Sequence, residues 1–215
     1  MGFGRTIALA WRGFYRWAAN RLYSEFAWAY DVVSWLVSWG RWAGWRRAAL
    51  GYVRGERVLE VGFGTGDLLV EMAARGWNAC GLDCSPAMHR IASRKLHRRG
   101  LDAPRVRGVT QALPFADGSF DTLIATFPAG YIVAPETLRE AARVLAADGR
   151  FVIAGLTAQV EHPLLRWVVR PIYGDVRDGA LAYFERVVAP AGFRVSVEIE
   201  PAKWVRMPVV ILMKV

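Results

Sequence analysis

One stretch of the chain, VLEVGFGTGDLL at residues 58–69, limits the possible folds more than any other. Its apolar first half is typical of a buried strand, three glycines follow at alternate positions, and a helix is predicted to begin at Asp67. Because glycine lacks Cβ, the backbone here can turn tightly and approach a ligand closely. The order strand, glycine turn, helix predicts an α/β fold with a ligand site at the turn.

Strand-like and helical segments alternate through the rest of the chain, as expected when helices pack against a mostly parallel sheet. Strands are predicted at 57–61, 77–82, 106–109, 120–125, 149–154, 193–200 and 204–215. Helices are predicted at 67–75, 86–99, 135–146, 164–169 and 178–189. Ser85 and Pro86 suit the N-cap and the first turn of the second of these helices. Pro208 predicts that the last strand lies at a sheet edge or contains a bulge.

The first 55 residues differ in composition from the remainder. We predict a helical N-terminal cap at 1–55 and a core domain at 56–215. Seven of the ten Trp lie in the cap, with eight Arg and only two acidic residues. Four Trp recur at helical spacing and predict one aromatic helix face: Trp28, Trp35, Trp39 and Trp42. This face either packs on the core, forms a lid over an apolar substrate, or lies in a membrane interface.

The chain is basic, with a formal net charge of +9. Such a charge permits nucleic acid, anionic lipid or an acidic small molecule as a partner, or reflects a solvated surface. Cys80 and Cys84 are too few for a disulfide framework, and the three His are scattered, so we expect a reduced cytoplasmic protein without metal. Arg residues interrupt the N-terminal apolar runs and Asp31 interrupts the longest, so neither a signal peptide nor a membrane span is predicted.

Two carboxylates stand where the first two predicted strands end. Glu60 lies at the tip of the first strand, where it can attract an ammonium group. Asp83 ends the second strand, seventeen residues after Gly66, and a carboxylate there can bridge two ribose hydroxyls. The backbone N–H groups of the turn, at a helix N-terminus, suit the carboxylate end of a ligand. A dinucleotide-binding turn would have a third glycine where Asp67 stands, and a P-loop would end in Gly-Lys-Ser/Thr.

Four segments together resemble the motifs of class I S-adenosylmethionine-dependent methyltransferases: 58–69, Asp83, LPFADGSFD at 113–121 and LREAARVLAADGRFVIAG at 138–155. LYSEFAWAYD at 22–31, with Trp45-Arg46-Arg47, is similar to the N-terminal entry of one subgroup. That subgroup includes the ubiquinone/menaquinone-biosynthesis C-methyltransferases and bacterial phospholipid N-methyltransferases. The resemblance covers most of residues 20–155. It implies a Rossmann-like, seven-stranded, mostly parallel sheet with a reversed C-terminal β-hairpin and helices on both faces.

The resemblance also implies that S-adenosylmethionine is the cofactor. The methionine and ribose region of the cofactor would contact Glu60 and the glycines. The ribose hydroxyls would bind Asp83, and the adenine would lie beside Cys84 and Met88. The predicted cofactor-binding residues are Glu60, Gly62, Phe63, Gly64, Gly66, Asp83, Cys84, Met88, Thr110, Gln111 and Thr126.

One position departs from the family pattern. Related sequences usually carry an acidic residue after the glycine at the position of Gly108, placed for the adenine amino group. Here that residue is Val109, whose side chain accepts no hydrogen bond. Thr110, Gln111 or the backbone could take its place.

Four aromatic residues are predicted to bind the methyl acceptor. They are Tyr23 and Tyr30 of the cap, and Phe127 and Tyr131 after the fourth strand. Methyl transfer from an activated sulfonium needs alignment and exclusion of water, and a base only in some cases. His89 and His162 are the candidate bases, and neither is assigned.

The expected function is methyl transfer to a small, apolar or membrane-associated acceptor, such as a quinone precursor or a lipid headgroup. Arg166, Trp167 and Arg170 could join the Trp-rich cap in a basic, aromatic mouth against an anionic membrane surface. The alternatives are a tailoring methyltransferase for a soluble metabolite and a non-catalytic S-adenosylmethionine-binding protein. A nucleic-acid methyltransferase is not favoured, since Thr126-Phe127-Pro128-Ala129 stands where an Asn/Asp-Pro-Pro-Tyr/Phe motif would be expected.

Overall fold

The computed structural model describes residues 42–156, 159–160, 180–200 and 205–215. Its helices are α1 (Trp42–Ala48), α2 (Asp67–Ala74), α3 (Pro86–Arg98), α4 (Pro135–Val144) and α5 (Ala180–Val188). Its strands are β1 (Arg57–Val61), β2 (Asn78–Asp83), β3 (Arg105–Arg107), β4 (Phe120–Thr126), β5 (Leu145–Ala154), β6 (Gln159–Val160), β7 (Phe193–Glu200) and β8 (Val205–Lys214). Short 3₁₀ helices cover Ala49–Tyr52, Gly130–Val133 and Ala189–Ala191.

Several predictions lie outside the described residues. These are most of the N-terminal cap, including its aromatic face, and the helix expected at 164–169. The same holds for Tyr23, Tyr30, His162, Arg166, Trp167 and Arg170.

Seven strands form one mixed sheet in the order β3-β2-β1-β4-β5-β8-β7, and the two-residue β6 pairs with the start of β8. The pairs from β3 to β5 are all parallel, whereas β8 runs antiparallel to both β5 and β7. The predicted fold class, with its reversed C-terminal hairpin, is therefore confirmed. The carboxyl ends of β1, β2 and β4 meet at one edge, which is where open α/β sheets bind ligands.

Alternate strand residues face opposite sides of the sheet, and each side has its own apolar core. Val58, Ile124 and Val152 pack with buried residues of α2 and α3 on one face. Leu59, Leu123 and Phe151 pack with those of α4 and α5 on the other. The sheet is thus covered on both faces, as predicted.

The N-terminal side of the core is helical where it is described. Ala49 and Leu50, just after α1, are buried in the core on the α2 and α3 face. Arg46 and Arg47 of α1 form ion pairs with Asp67 and Glu71 of α2. These contacts fix the end of the cap segment against the helix that follows the glycine turn. The boundary between cap and core at residue 56 stays a prediction.

Three sequence predictions need correction. The third strand covers 105–107 instead of 106–109, because Val109 forms an isolated bridge with Ala112. The helix predicted to reach residue 146 ends at Val144, where β5 begins directly. The last strand lies inside the sheet, but its β5 pairing begins at Val209, so Pro208 faces a ladder partner only in β7. A proline is tolerated there because the missing N–H falls outside the β5 ladder.

Arg143 of α4 explains why the segments 113–121 and 138–155 occur together. Its guanidinium donates hydrogen bonds to the carbonyl oxygens of Leu113 and Phe115 and forms ion pairs with Asp117 and Glu140. Glu140 in turn accepts a hydrogen bond from the Leu113 N–H at 2.7 Å. The pair fastens the loop before β4 to α4.

Candidate cofactor site

The glycine turn lies at the carboxyl end of β1, and all three of its glycines have positive φ. The values are +72° for Gly62, +54° for Gly64 and +78° for Gly66, a region that residues with a Cβ rarely adopt. The Gly62 N–H donates to the carbonyl oxygen of Leu82 at 2.7 Å, which ties the turn to β2. The requirement for glycine at these positions is therefore conformational.

The space above each glycine differs. A Cβ on Gly66 would lie 2.5 Å from the Cβ of Ala92, so this glycine permits close packing of the turn on α3. A Cβ on Gly62 would lie 3.1 Å from the Tyr131 hydroxyl oxygen. A Cβ on Gly64 would meet no atom within 4 Å. Gly64 thus borders open space, and the Tyr131 hydroxyl lies over the first glycine of the same turn.

Asp83 lies directly beside the turn, as the sequence predicts. One carboxylate oxygen accepts a hydrogen bond from the Gly64 N–H at 2.9 Å, and the other from the Ser85 N–H at 2.8 Å. Burial raises the pKa of Asp83, while the Ser85 and Gly64 hydrogen bonds and the nearby His89 oppose that rise. Each oxygen keeps a further lone pair, so the carboxylate can still accept from two ribose hydroxyls.

Glu60, at the end of β1, is the most unusual polar group of the site. Its side chain is 1% exposed, and one of its oxygens, Oε2, has no hydrogen-bond partner in the described structure. Burial raises its pKa to about 8; the charge of Arg46 opposes the rise, and Asp67 and Asp83 add to it. A buried carboxylate oxygen without a partner is costly unless a ligand supplies a donor. A cofactor ammonium group would fit this position.

Four backbone N–H groups of the turn have acceptors within the protein. Gly62 and Phe63 donate to the carbonyl oxygen of Leu82, Gly64 donates to Asp83, and Gly66 donates to the Phe63 carbonyl oxygen. These four donors are held within the protein, and binding of a ligand carboxylate by the N–H groups at the start of α2 stays a prediction.

Three other predicted cofactor-binding residues divide into buried and exposed ones. Phe63 and Met88 are 4% and 0% exposed and belong to one apolar core. The Met88 side chain could therefore touch adenine only after a rearrangement, and the Phe63 ring packs in the core and against His89. Cys84 is exposed immediately after Asp83, and it keeps its predicted place beside the adenine.

The segment that departs from the family pattern has a specific arrangement. Val109 is 50% exposed, Gln111 is also exposed, and Thr110 is 5% exposed. The Thr110 hydroxyl lies 3.2 Å from that of Thr137, which donates to the carbonyl oxygen of Tyr131 at 2.9 Å. Thr110 thereby supports the turn that carries Tyr131, and Gln111 is the more accessible of the two predicted substitutes for the missing acid.

On the acceptor side, Thr126 ends β4 and Phe127 follows with an unusual backbone. Phe127 has φ +51°, and its N–H donates to the carbonyl oxygen of Ala154 at 2.7 Å. Its ring occupies the space that a side chain on Gly155 would need, 2.4 Å from the ideal Cβ position. A bulky residue with positive φ is rare and is often found at functional sites. Phe127 and Tyr131 therefore border the same sheet edge as the glycine turn.

Two cations near the turn were not among the predicted site residues. Arg46 Nη1 and Lys95 Nζ lie 2.8 and 2.7 Å from the two carboxylate oxygens of Asp67. Burial would raise the pKa of Asp67, but these two partners outweigh it and lower that pKa. The sequence signal for Arg46 was its place in the Trp45-Arg46-Arg47 segment, and only the docking of α1 on α2 brings it to the site.

The remaining histidine and cysteine residues that the structure describes near the site show no sign of a catalytic or metal-binding arrangement. His89 contacts the Asp83 carbonyl oxygen at 3.0 Å through Nε2, which must carry the proton because a carbonyl only accepts. Cys80 and Cys84 are free thiols. The described part of the chain contains no cluster of three or more His, Cys, Asp or Glu that could hold a metal ion. None of the helices that the structure describes has the length and apolar character needed to cross a bilayer.

The residues thus fit an adenosyl cofactor with an amino-acid arm: Asp83 for the ribose, Glu60 for an ammonium and open space above Gly64. A family model described as a methyltransferase domain matches residues 58–149. The demethylmenaquinone methyltransferase of Tropheryma whipplei is 34% identical over 177 residues, which cover 80% of this chain and 71% of that protein. That of Thermus thermophilus is 36% identical over 138 residues, 61% of this chain and 63% of the relative.

Among solved structures, a methyltransferase of Thermotoga maritima described as a possible histamine N-methyltransferase has a TM-score of 0.65 at 21% identity. The match covers 91% of this chain and 99% of that one, and it supports the fold. Fold and site define a Rossmann-like nucleoside-binding protein. The chain belongs to the class I S-adenosylmethionine-dependent methyltransferases, and S-adenosylmethionine is its cofactor. It spans 63% and 61% of the length of two of the curated relatives it matches.

Proposed function

We propose that this protein transfers a methyl group from S-adenosylmethionine to a small, apolar acceptor, with a quinone precursor as the first candidate. The observation that carries the proposal is the pairing of Asp83 with the Gly64 N–H beside the buried Glu60 oxygen that has no partner within the described part of the chain. The choice of acceptor rests on the relatives named demethylmenaquinone methyltransferase, which are 34–36% identical to this chain.

In this proposal the cofactor supplies an electrophilic methyl group, whose bond to sulfur breaks with the electron pair left on sulfur. Asp83 accepts hydrogen bonds from the ribose hydroxyls, and its own backbone donors keep it in place. Glu60 holds the ammonium group. The glycines keep the backbone close to the ligand, and Cys84 borders the adenine with Gln111 nearby. Holding both reactants in alignment supplies most of the rate enhancement for such a displacement.

The acceptor would enter at the β4 end of the crevice. Phe127 and Tyr131 present aromatic surface there. Tyr23 and Tyr30 of the cap stay predicted substrate-binding residues. Aromatic walls exclude water from the reacting atoms and suit a flat, apolar ring. The acceptor atom loses its proton after or during transfer, and no side chain is assigned as the base.

A quinone precursor with an apolar tail resides in a membrane, so we also propose a cytoplasmic protein that attaches peripherally to an anionic membrane surface. The net charge of +9 supports such attachment. Co-sedimentation with vesicles of phosphatidylglycerol and phosphatidylcholine tests it. Stronger binding to the anionic vesicles, weakened by salt, is expected, and equal binding to both kinds would contradict it.

The acceptor is tested by a turnover screen of the full chain with S-adenosylmethionine. The substrates are a polyprenylated naphthoquinol, phosphatidylethanolamine and a small soluble phenol, and the readout is product mass. A quinol that gains one methyl group supports the proposal. Methylation of the phospholipid alone would assign a lipid headgroup, and methylation of the phenol alone a soluble metabolite. Binding of S-adenosylhomocysteine without any turnover across a wider acceptor panel would favour a non-catalytic protein.

A further inference from the structure

The arginines of α3 differ from those of α1 and α4 in their surroundings. Arg47 of α1 and Arg139 of α4 each form an ion pair with a carboxylate. Within the described part of the chain, Arg90, Arg94 and Arg98 of α3 form no ion pair and no side-chain hydrogen bond. All three are exposed. We call these three residues the α3 arginine face.

The three side chains lie on one side of the helix. They recur at steps of four residues, so they fall within about 80° of each other around the helix axis and span about 12 Å along it. The opposite side is apolar, because Met88, Ala92 and Leu96 are buried in the core. Residues 84–101 contain five Arg or Lys and no acidic residue, so the helix offers no partner for these charges.

The helix dipole accounts for only part of this charge. Cations stabilise the last turn of a helix, and Lys95, His97 and Arg98 lie there. Arg90 lies in the second turn and Arg94 in the third, where the dipole gives no such benefit. Like charges four residues apart also repel each other on a helix. The array therefore destabilises the free helix, and an anionic partner would remove this repulsion.

The α3 arginine face begins close to the cofactor site. α3 starts at Pro86, three residues after Asp83. The edge strand β3 lies next to β2, and its exposed Arg107 donates from Nε to the carbonyl oxygen of Cys84 at 3.2 Å. A positive surface therefore extends from the edge of the cofactor crevice along α3 to the end of the helix.

The composition of this surface fits a lipid bilayer better than a nucleic acid. Proteins that bind single-stranded nucleic acid combine a basic groove with aromatic side chains on which the bases stack. The exposed residues of α3 are Pro86, Arg90, Arg94, His97 and Arg98, and none of them is Phe, Tyr or Trp. An anionic bilayer attracts each Lys or Arg near its surface by charge and needs no stacking group.

We propose that the α3 arginine face, together with Arg107, docks this protein on an anionic lipid bilayer. The inference rests on the proposed function, for which it names the membrane-binding surface. The exposed side of α3 has no large apolar residue, so the attachment is electrostatic and reversible. It holds the cofactor crevice near the lipid in which an apolar acceptor resides.

The test measures binding of the full chain to vesicles of phosphatidylglycerol and phosphatidylcholine. One variant, the α3 variant, combines Arg90→Gln, Arg94→Gln and Arg98→Gln. Each Arg near an anionic surface contributes about fivefold to binding, so the partition coefficient should fall by about 100-fold. Binding of S-adenosylhomocysteine, measured by calorimetry, should stay unchanged, because Asp83 and Glu60 keep their contacts.

A control variant with the same formal net charge combines Arg75→Gln, Arg139→Gln and Arg194→Gln. Arg75 and Arg139 form ion pairs with Glu71 and Glu136, and Arg194 is exposed on β7, at the other end of the sheet. The control should bind the anionic vesicles nearly as the wild type does. Charges farther than about 8 Å from the lipid are largely screened at physiological ionic strength.

Two further variants keep the test decisive if the α3 variant fails to fold. Arg94→Gln alone, at the middle of the face, should weaken vesicle binding by about fivefold. The combination of Arg90→Lys, Arg94→Lys and Arg98→Lys should keep most of the binding, because a bilayer attracts Lys and Arg alike. A large loss in this Lys variant would contradict docking by charge.

Equal weakening of vesicle binding in the α3 variant and the control would overturn the inference, because binding would then depend on net charge alone. Unchanged vesicle binding by the α3 variant would also overturn it and leave the proposed function standing. If that variant lost affinity for an RNA of mixed sequence instead, the face would be assigned to nucleic acid. A wild-type chain that binds anionic and neutral vesicles equally would overturn the proposed membrane attachment and this inference with it.

Discussion

The two ends of the cofactor crevice are built differently. At the ribose end, each carboxylate oxygen of Asp83 accepts a hydrogen bond from a backbone N–H group at 2.9 Å or less. One donor is Gly64 of the glycine turn, and the other is Ser85, two residues along the chain. At the amino-acid end, Glu60 is buried with an oxygen that has no partner among the described residues. One carboxylate is oriented before any ligand arrives, whereas the other acquires its partner from the ligand.

The comparison shows that the two ends contribute differently to cofactor binding: Asp83 provides a preorganised contact, and Glu60 provides recognition of a positive charge. Preorganised hydrogen bonds at Asp83 reduce the ordering cost of binding. An unpartnered buried carboxylate destabilises the free protein and makes binding of a cation favourable. The two ends should therefore respond in opposite ways to removal of the carboxylate, and four substitutions test this comparison.

The largest effect is expected for Glu60→Gln, and it depends on pH. The pKa of Glu60 is raised from 4.5 to about 8 in the folded protein, so the folded state holds this proton more tightly than the unfolded chain. The stabilisation that the bound proton provides is complete below about pH 4.5 and is lost as the pH rises to about 8. Because glutamine does not ionise, the variant should gain on the order of 3 kcal/mol in unfolding free energy over wild type between pH 5 and 8.

Chemical denaturation of the free proteins across this pH range measures the difference. Glu136→Gln, at an exposed position, is the control and should follow the wild type. Parallel stability curves for Glu60→Gln and wild type would mean that Glu60 is not a buried ionisable group. The same variant should bind S-adenosylhomocysteine more weakly than wild type at pH 8.

The second substitution, Asp83→Ala, should show the opposite pattern. It removes the acceptors of the Gly64 and Ser85 N–H groups and both predicted ribose contacts. Affinity for S-adenosylhomocysteine and for 5′-methylthioadenosine, which lacks the amino-acid arm, should fall alike, by about 30- to 100-fold, and the protein should lose stability. Calorimetry and thermal unfolding measure these changes. Asp102→Ala, whose side chain is 95% exposed, serves as the control, and a loss confined to the ligand with the amino-acid arm would contradict the assignment of Asp83.

Two glycine substitutions give the smallest expected change in unfolding free energy. Together they distinguish the backbone strain of a positive φ from a steric clash of the added Cβ. Gly64→Ala must adopt φ +54° but meets no atom within 4 Å, so it should cost about 1 kcal/mol in unfolding free energy. Gly66→Ala carries the same strain and also places its Cβ 2.5 Å from that of Ala92, so it should cost more. Gly64→Ala should nevertheless weaken cofactor binding, because its methyl group enters the crevice. Urea unfolding combined with calorimetry would show this, and equal stability losses would contradict it.

The ribose end could be predicted from the sequence because its determinants are local. The sequence contains a strand, three glycines at alternate positions and a carboxylate at the end of the next strand. Together these features predict the conformation of the turn and the kind of ligand that it binds. The Ser85 N-cap and Pro86 were predicted for the same reason, and the Ser85 hydroxyl accepts the Met88 N–H at 3.4 Å. Short-range geometry and side-chain chemistry are sufficient in such cases.

What the sequence could not provide depends on tertiary contacts. Arg46 is one of eight Arg in the first 55 residues. It lies in the family-like segment Trp45-Arg46-Arg47, but only the docking of α1 on α2 brings it to the glycine turn. Met88 follows Asp83 closely enough to suggest an adenine contact, but the helical phase of α3 directs it into the core. The internal acceptors of the Gly62, Phe63 and Gly64 N–H groups are also outside the reach of local sequence, because Leu82 and Asp83 belong to another strand.

The most direct measurement is a crystal structure of the full chain with S-adenosylhomocysteine. The ribose hydroxyls should lie within hydrogen-bond distance of both Asp83 oxygens, and the ammonium group should contact the Glu60 oxygen that lacks a partner. A ligand bound elsewhere, or one in the crevice that leaves Asp83 or Glu60 without contact, would contradict the account.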